Sequence, residues 1–180
     1  AARFFGELAA ARTAIQYILY SADDVMRYRD LRTRGVLPDT PHWVLFVLGR
    51  YSAGQRSDPA GLWPLLQAWT DGGAITANVP WAMCAFGPRE AECALSAALL
   101  GGHARLGFEN NMALPDGSTA PDNAALVREV VPICRTLNKL LVMRRCDDGL
   151  VKFPEGGVVY RGCTIPEENL RFYQTPGKVF

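Results

Sequence analysis

The chain has 180 residues, of which 49% are hydrophobic and 21% charged, a globular composition that argues against a disordered segment. Lys and Arg number 19 against 18 Asp and Glu, so the net charge of +1 gives no reason to expect nucleic acid or an anionic membrane as partner. No apolar run approaches the roughly 18 residues that a membrane span needs. The five cysteines (Cys84, Cys93, Cys134, Cys146 and Cys163) are scattered and never form a Cys-x-x-Cys pair. They read as reduced thiols of a cytoplasmic protein rather than as a zinc knuckle or a disulfide framework. The start without Met, and the end on Gly177-Lys178-Val179-Phe180, where an apolar extended segment begins, read as a piece of a longer or recombined chain.

In chain order, Phe4, Leu8, Ala11, Ile15 and Leu19 recur at helical spacing, which predicts one helix over 3–19. Ser21, with Asp24 three residues on, is an N-cap for a second helix at about 22–34, and Gly35 is its stop. Trp43-Val44-Leu45-Phe46-Val47-Leu48 is a short unbroken apolar run, the pattern of a strand buried on both faces. Asp58-Pro59 opens a helix to about Thr70, and Asp71-Gly72-Gly73 stops it. A second strand falls at Ala74–Val79 or Pro80–Ala85, followed by a helix of small residues at 88–100 and a third strand at His103–Phe108. A turn at Pro115-Asp116-Gly117 leads to a helix starting near Pro121-Asp122. Pro132 is expected to break the pattern, with a helix at Cys134–Met143 and a strand at Val158-Val159-Tyr160 beyond it. The domain boundary is therefore placed at 131, leaving 132–180 as a short α+β tail.

This alternation of strands and helices with short links implies an α/β fold with a parallel sheet. In such folds the working groups sit where the strands end at their carboxyl side. Three ends are available: Gly49-Arg50-Tyr51, Cys84-Ala85-Phe86-Gly87 and Gly107-Phe108-Glu109-Asn110-Asn111. The third carries most chemistry, because His103, Arg105 and Gly107 alternate to one side and Glu109 continues it. Two readings of Arg105 and Glu109 stay open: a structural ion pair, or a substrate-holding arginine beside a metal-binding carboxylate. His42 precedes its strand and reads as a surface imidazole, and His103 starts one, so both are expected at the end away from Glu109.

Gly101-Gly102-His103-Ala104-Arg105-Leu106-Gly107-Phe108-Glu109-Asn110-Asn111, with Leu114-Pro115-Asp116-Gly117 and Ala120–Val127 after it, resembles the last barrel strand and loop of the β-keto acid cleavage enzymes. Phe46-Val47-Leu48-Gly49 and Trp81–Gly87 resemble the two strands before it, so the likeness covers about residues 17–130. The resemblance implies the C-terminal part of a TIM (β/α)8 barrel, about three βα units, in a zinc enzyme. That enzyme joins acetyl-CoA to a β-keto acid and gives acetoacetate and a new acyl-CoA. It implies Glu109 as a zinc ligand and Arg105 as a catalytic or carboxylate-orienting residue. An acidic residue commonly follows that glutamate as the base. Here Asn110 holds the catalytic position, able to hydrogen-bond but not to take a proton. The family takes two more zinc ligands from a His-x-His pair, whereas this chain has two histidines, His42 and His103. The resemblance thus implies association with the missing barrel half, or with further copies of the chain.

The tail carries a second resemblance. Pro132–Leu140 and Gly157-Val158-Val159-Tyr160-Arg161-Gly162 are similar to the opening of an arginine-type mono-ADP-ribosyltransferase, in which Arg161 would meet the phosphates of NAD. A non-catalytic relic or interaction module is the third expectation.

Overall fold

A computed structural model describes residues 2–11, 13–50, 56–144, 158–160 and 163–165. Four strands form one sheet, β1 (Ile15–Leu19), β2 (His42–Leu48), β3 (Trp81–Ala85) and β4 (His103–Ala104), in the order β1-β2-β3-β4 with every pair parallel. Between them run α2 (Ala22–Thr33), α3 (Leu62–Thr70) and α4 (Glu90–Leu99); α1 (Ala2–Ala10) precedes the sheet and α5 (Asn123–Arg144) follows it. Two short strands, β5 (Val158–Tyr160) and β6 (Cys163–Ile165), make an antiparallel pair of their own. No described helix is long and apolar enough to cross a membrane.

The unbroken apolar runs are explained by burial on both sheet faces. Val44, Phe46 and Leu48 of β2, with Trp81, Met83 and Ala85 of β3, meet the helices through Val25, Tyr28, Leu62, Trp69, Cys93 and Val130. Leu45 and Val47, with Ala82, Cys84 and Phe86, form a separate cluster on the opposite face. Helices α2 to α5 thus all contribute to one side of the sheet. Arg29 ties α2 to the end of α3 by donating to the carbonyls of Ala68 (2.9 Å) and Asp71 (2.7 Å).

The predicted helix over 3–19 is corrected to a helix and a strand. Ile15 and Leu19 are four apart, a spacing that satisfies the helical period and the period of two alike. Ile15, Tyr17 and Ile18 favour a pleated surface, and pairing from Ile15↔His42 to Leu19↔Phe46 gives that strand its hydrogen bonds. The sheet therefore has four strands, not three. The predicted strand over His103–Phe108 is also shorter. The Arg105 amide still donates to the Met83 carbonyl at 2.8 Å, but Gly107, at φ +148°, turns the chain away. A Cβ there would lie 3.0 Å from Asn123 Oδ1, so the turn requires glycine.

The second strand resolves to Trp81–Ala85, and the N-cap at Ser21 is as predicted: its hydroxyl accepts from the Asp24 amide at 3.2 Å. Helix α5 runs through Pro132, where the sequence predicted a break. Its apolar stripe continues on both sides of the proline, through Leu126, Val130 and Cys134. That packing outweighs the lost hydrogen bond and the crowding of the ring.

Candidate active site

Because all four strands are parallel, their carboxyl ends lie on one side of the sheet. Ser57 joins two of them: its hydroxyl donates to the Leu48 carbonyl (2.6 Å) and accepts from the Phe86 amide (3.0 Å). Beyond β4 the chain closes a tight turn in which the Gly107 carbonyl accepts from the Asn110 and Asn111 amides at 2.9 and 3.1 Å. This turn brings three of the sequence-predicted residues together. Arg105 forms an ion pair from Nη1 to Glu109 Oε2 (3.2 Å) and donates from Nη2 to Asn110 Oδ1 (2.9 Å) and Cys84 Sγ (3.3 Å). The donation from Arg105 also fixes which end of the Asn110 amide is oxygen.

The Arg105 side chain is 17% exposed, and Glu109, at 56%, faces solvent. Two donors of this group, Arg105 Nε and Asn110 Nδ2, are buried without a hydrogen-bond partner among the described residues. Buried donors left unsatisfied cost about 1–3 kcal/mol each, and such groups are characteristic of sites that await a ligand or water. Burial pushes the Cys84 thiol up against the opposing pull of Arg105, and Cys93 goes to about 12 by burial, so neither is poised as a thiolate nucleophile.

A fourth residue belongs to this end of the sheet, and the sequence reading missed it. Glu90, the first residue of α4, is 1% exposed. Its Oε1 accepts from the Gly107 amide (3.1 Å) and its Oε2 from Asn111 Nδ2 (3.3 Å). Burial raises its carboxyl to about 7, against the lowering effect of those hydrogen bonds and of Arg105. An acid at a helix start is an ordinary partner for the helix dipole, so the sequence carried no signal that this one is buried.

His42 and His103 start β2 and β4, at the amino end, as predicted. His42 is not a surface imidazole. It is 8% exposed, with Nδ1 2.7 Å from the Thr40 carbonyl and Nε2 2.6 Å from the Tyr28 hydroxyl. The Thr40 carbonyl can only accept, so Nδ1 carries a proton, and in the neutral imidazole the tyrosine hydroxyl donates to Nε2. His103 lines an open depression of about 600 Å³ with Trp69, Thr76 and Trp81. Arg161 lies outside the described residues, between β5 and β6.

A profile of the beta-keto acid cleavage enzyme family matches residues 1–143. The chain belongs to this family. Over 66 residues, 37% of its own length, this family member is 34% identical to the 3-keto-5-aminohexanoate cleavage enzyme of Fusobacterium nucleatum subsp. nucleatum. That stretch spans 24% of the relative, about a quarter of its length. The family match runs past Pro132 and covers most of α5.

The family resemblance implies a zinc ion, which needs a cluster of donor side chains. Among the described residues no three His, Cys, Asp or Glu side chains stand close enough to hold a metal ion. Glu109 offers one carboxylate, whereas a zinc centre takes three or four protein ligands. The described residues of this family member do not complete such a site.

Proposed function

We propose that this chain forms the carboxyl-end site of a (β/α)8 barrel enzyme that exchanges acyl groups between a β-keto acid and acetyl-CoA. The observation that carries the reading is the Arg105 guanidinium, held at the end of β4 by Glu109 and Asn110 with two neighbouring N–H donors unspent. The barrel is supported by the sequential strand order and by helices α2 to α5 all on one face, since a doubly wound sheet carries helices on both. In this sheet β1 and β4 are edges, and Ile18 and Tyr20 at the β1 edge are exposed. Further barrel strands, from elsewhere in the protein or from another copy, would cover them.

In the proposed reaction the bond between the keto carbon and the carboxymethyl group breaks. The carboxymethyl carbon bonds to the acetyl carbonyl carbon of acetyl-CoA as the acetyl C–S bond breaks, giving acetoacetate, and the released CoA thiolate bonds to the keto carbon, giving the new acyl-CoA. The bond-breaking step drives an electron pair towards the carboxylate. Arg105 meets that charge as a fixed cation through its unspent Nε–H, and Asn110 Nδ2 adds a neutral donor beside it. Asn110 does not take the proton, since an amide has no site for one at neutral pH. Glu109 holds the guanidinium in place and would supply one ligand to a zinc ion whose other ligands lie outside the described residues.

The test is to give the natural protein a panel of β-keto acids with acetyl-CoA labelled in its acetyl carbons. The reading requires label in the methyl and keto carbons of acetoacetate, and none in its methylene or carboxylate carbons. No labelled acetoacetate from any member of the panel would overturn it.

A further inference from the structure

Glu90 is the most deeply buried carboxylate near this site, and the reaction above makes no use of it. Among the described residues it hydrogen-bonds neither of the unspent donors. Its partners are instead the two ends of the turn that carries them: the Gly107 amide on Oε1 and the Asn111 side-chain amide on Oε2. The same turn is tied back to α4 a third time, because the Gly87 amide donates to the Asn110 carbonyl at 3.2 Å, while the Gly87 carbonyl accepts from the Glu90 amide at 3.0 Å. Asn111 extends the clamp, donating to the Ala113 carbonyl (2.8 Å) and accepting from the Ala113 amide (2.9 Å). Arg105 stands two residues before this turn, and Glu109 and Asn110 stand inside it.

We propose that Glu90 is the positioning residue of the site: its two carboxylate oxygens hold the 107–111 turn at both ends and so fix where the Arg105 and Asn110 donors point. This deepens the reading of the preceding subsection and rests on it for the chemistry, but the placement itself is measurable without any reaction. A role as base is excluded by geometry, since at 1% exposure both oxygens are spent on the turn. The effect is of the kind in which a displacement of about 1 Å away from the chemistry costs about 10²-fold in rate.

The experiment uses the full chain, with nitrogen-15 spectra of the Arg105 Nε–H and of the Asn110 side-chain amide, assigned through Arg105→Lys and Asn110→Asp. Glu90→Gln keeps one acceptor for the Gly107 amide but turns an NH2 group towards the Asn111 NH2. Both reporter signals are expected to move by more than their linewidths while the backbone amides of β1 to β3 stay in place. Where the labelled product is formed, kcat per folded protein, with the folded fraction fixed by the β1 to β3 amide intensities, should fall about 10²-fold with KM within about twofold. Asn111→Ala removes one arm of the clamp from the other side and decides the matter if Glu90→Gln does not fold. Arg105 and Asn110 signals that stay unmoved in a folded variant would overturn the proposal. An absence of labelled acetoacetate from the wild-type protein would instead overturn the reaction, and the two failures are read separately.

Discussion

The two ends of the parallel sheet bury polar side chains in opposite ways. At the amino end, His42 has both ring nitrogens engaged, and Tyr28, its partner, lies stacked on Trp69 at 5.5 Å. Phe46 meets Trp69 and Trp81, each at 5.4 Å between ring centroids, so the polar pair sits inside an aromatic wall. Burial pushes the Tyr28 hydroxyl up to about 12, which keeps it a neutral donor. At the carboxyl end, Arg105 and Asn110 are hydrogen-bonded to each other and still hold two donors without partners. Arg32, near the amino end, also has an unpartnered Nε, but its other two nitrogens are fixed on the Pro38 carbonyl (2.6 Å) and Asp39 (2.7 Å). The lesson is one of division: the amino end is spent on stability, and the carboxyl end keeps capacity for a ligand.

The strongest way to break that division is to cut the aromatic wall. Trp69→Ala should destabilise the fold by about 3–5 kcal/mol, the range for removing a large buried aromatic. Urea unfolding measures it. The division requires that the protein remaining folded keep its Arg105 and Asn110 signals unchanged. Next in size is Arg105→Ala, expected to lower acetoacetate formation about 10²–10³-fold, the range for loss of a transition-state donor. Stability should change by no more than about 1 kcal/mol, because Glu109 is largely solvated and losing the Arg105 hydrogen bonds is offset by removing its buried, unsatisfied Nε–H. A large loss of stability with activity retained would make Arg105 a structural ion pair and dissolve the contrast.

How far the sequence could show this division differs between the two ends. The elements β2, α2, α3, β3 and α4 were legible because each rests on a local signal: an unbroken apolar run, a Ser21 cap, or a Gly72-Gly73 stop. The first strand was not legible, since the spacing of Ile15 and Leu19 fits either period and β2 decides between them. The Arg105–Glu109–Asn110 group was legible because one turn carries all three. The partners that hold it were not, because Glu90 and Cys84 reach it from α4 and β3, 15 or more positions away in sequence. His42 was misread for the same reason. Its partner Tyr28 lies 14 positions away on α2, and a lone histidine before a strand gives no hint of that contact.

The smallest of these effects places a titration at the carboxyl end. Glu90 ionises near 7 in the folded chain against an ordinary value of 4.5. Below pH 4.5 the carboxyl is protonated in both folded and unfolded chains, and it contributes no pH dependence. As pH rises from there towards 7, the unfolded chain releases the proton while the folded one keeps it, so stability falls, by about 1.4 kcal/mol for each unit of difference. Between pH 5 and pH 8 the wild-type chain should therefore lose about 2–3 kcal/mol relative to Glu90→Gln, which has no proton to lose. Paired urea unfolding curves at the two pH values give this difference directly, and subtracting the variant removes every other titrating group. An equal dependence in both proteins would mean that Glu90 is solvated enough to ionise normally. The clamp on the 107–111 turn would then be looser than its two hydrogen bonds imply. The predicted fall would show instead that this end of the sheet accepts a buried carboxyl in exchange for a fixed turn beneath Arg105.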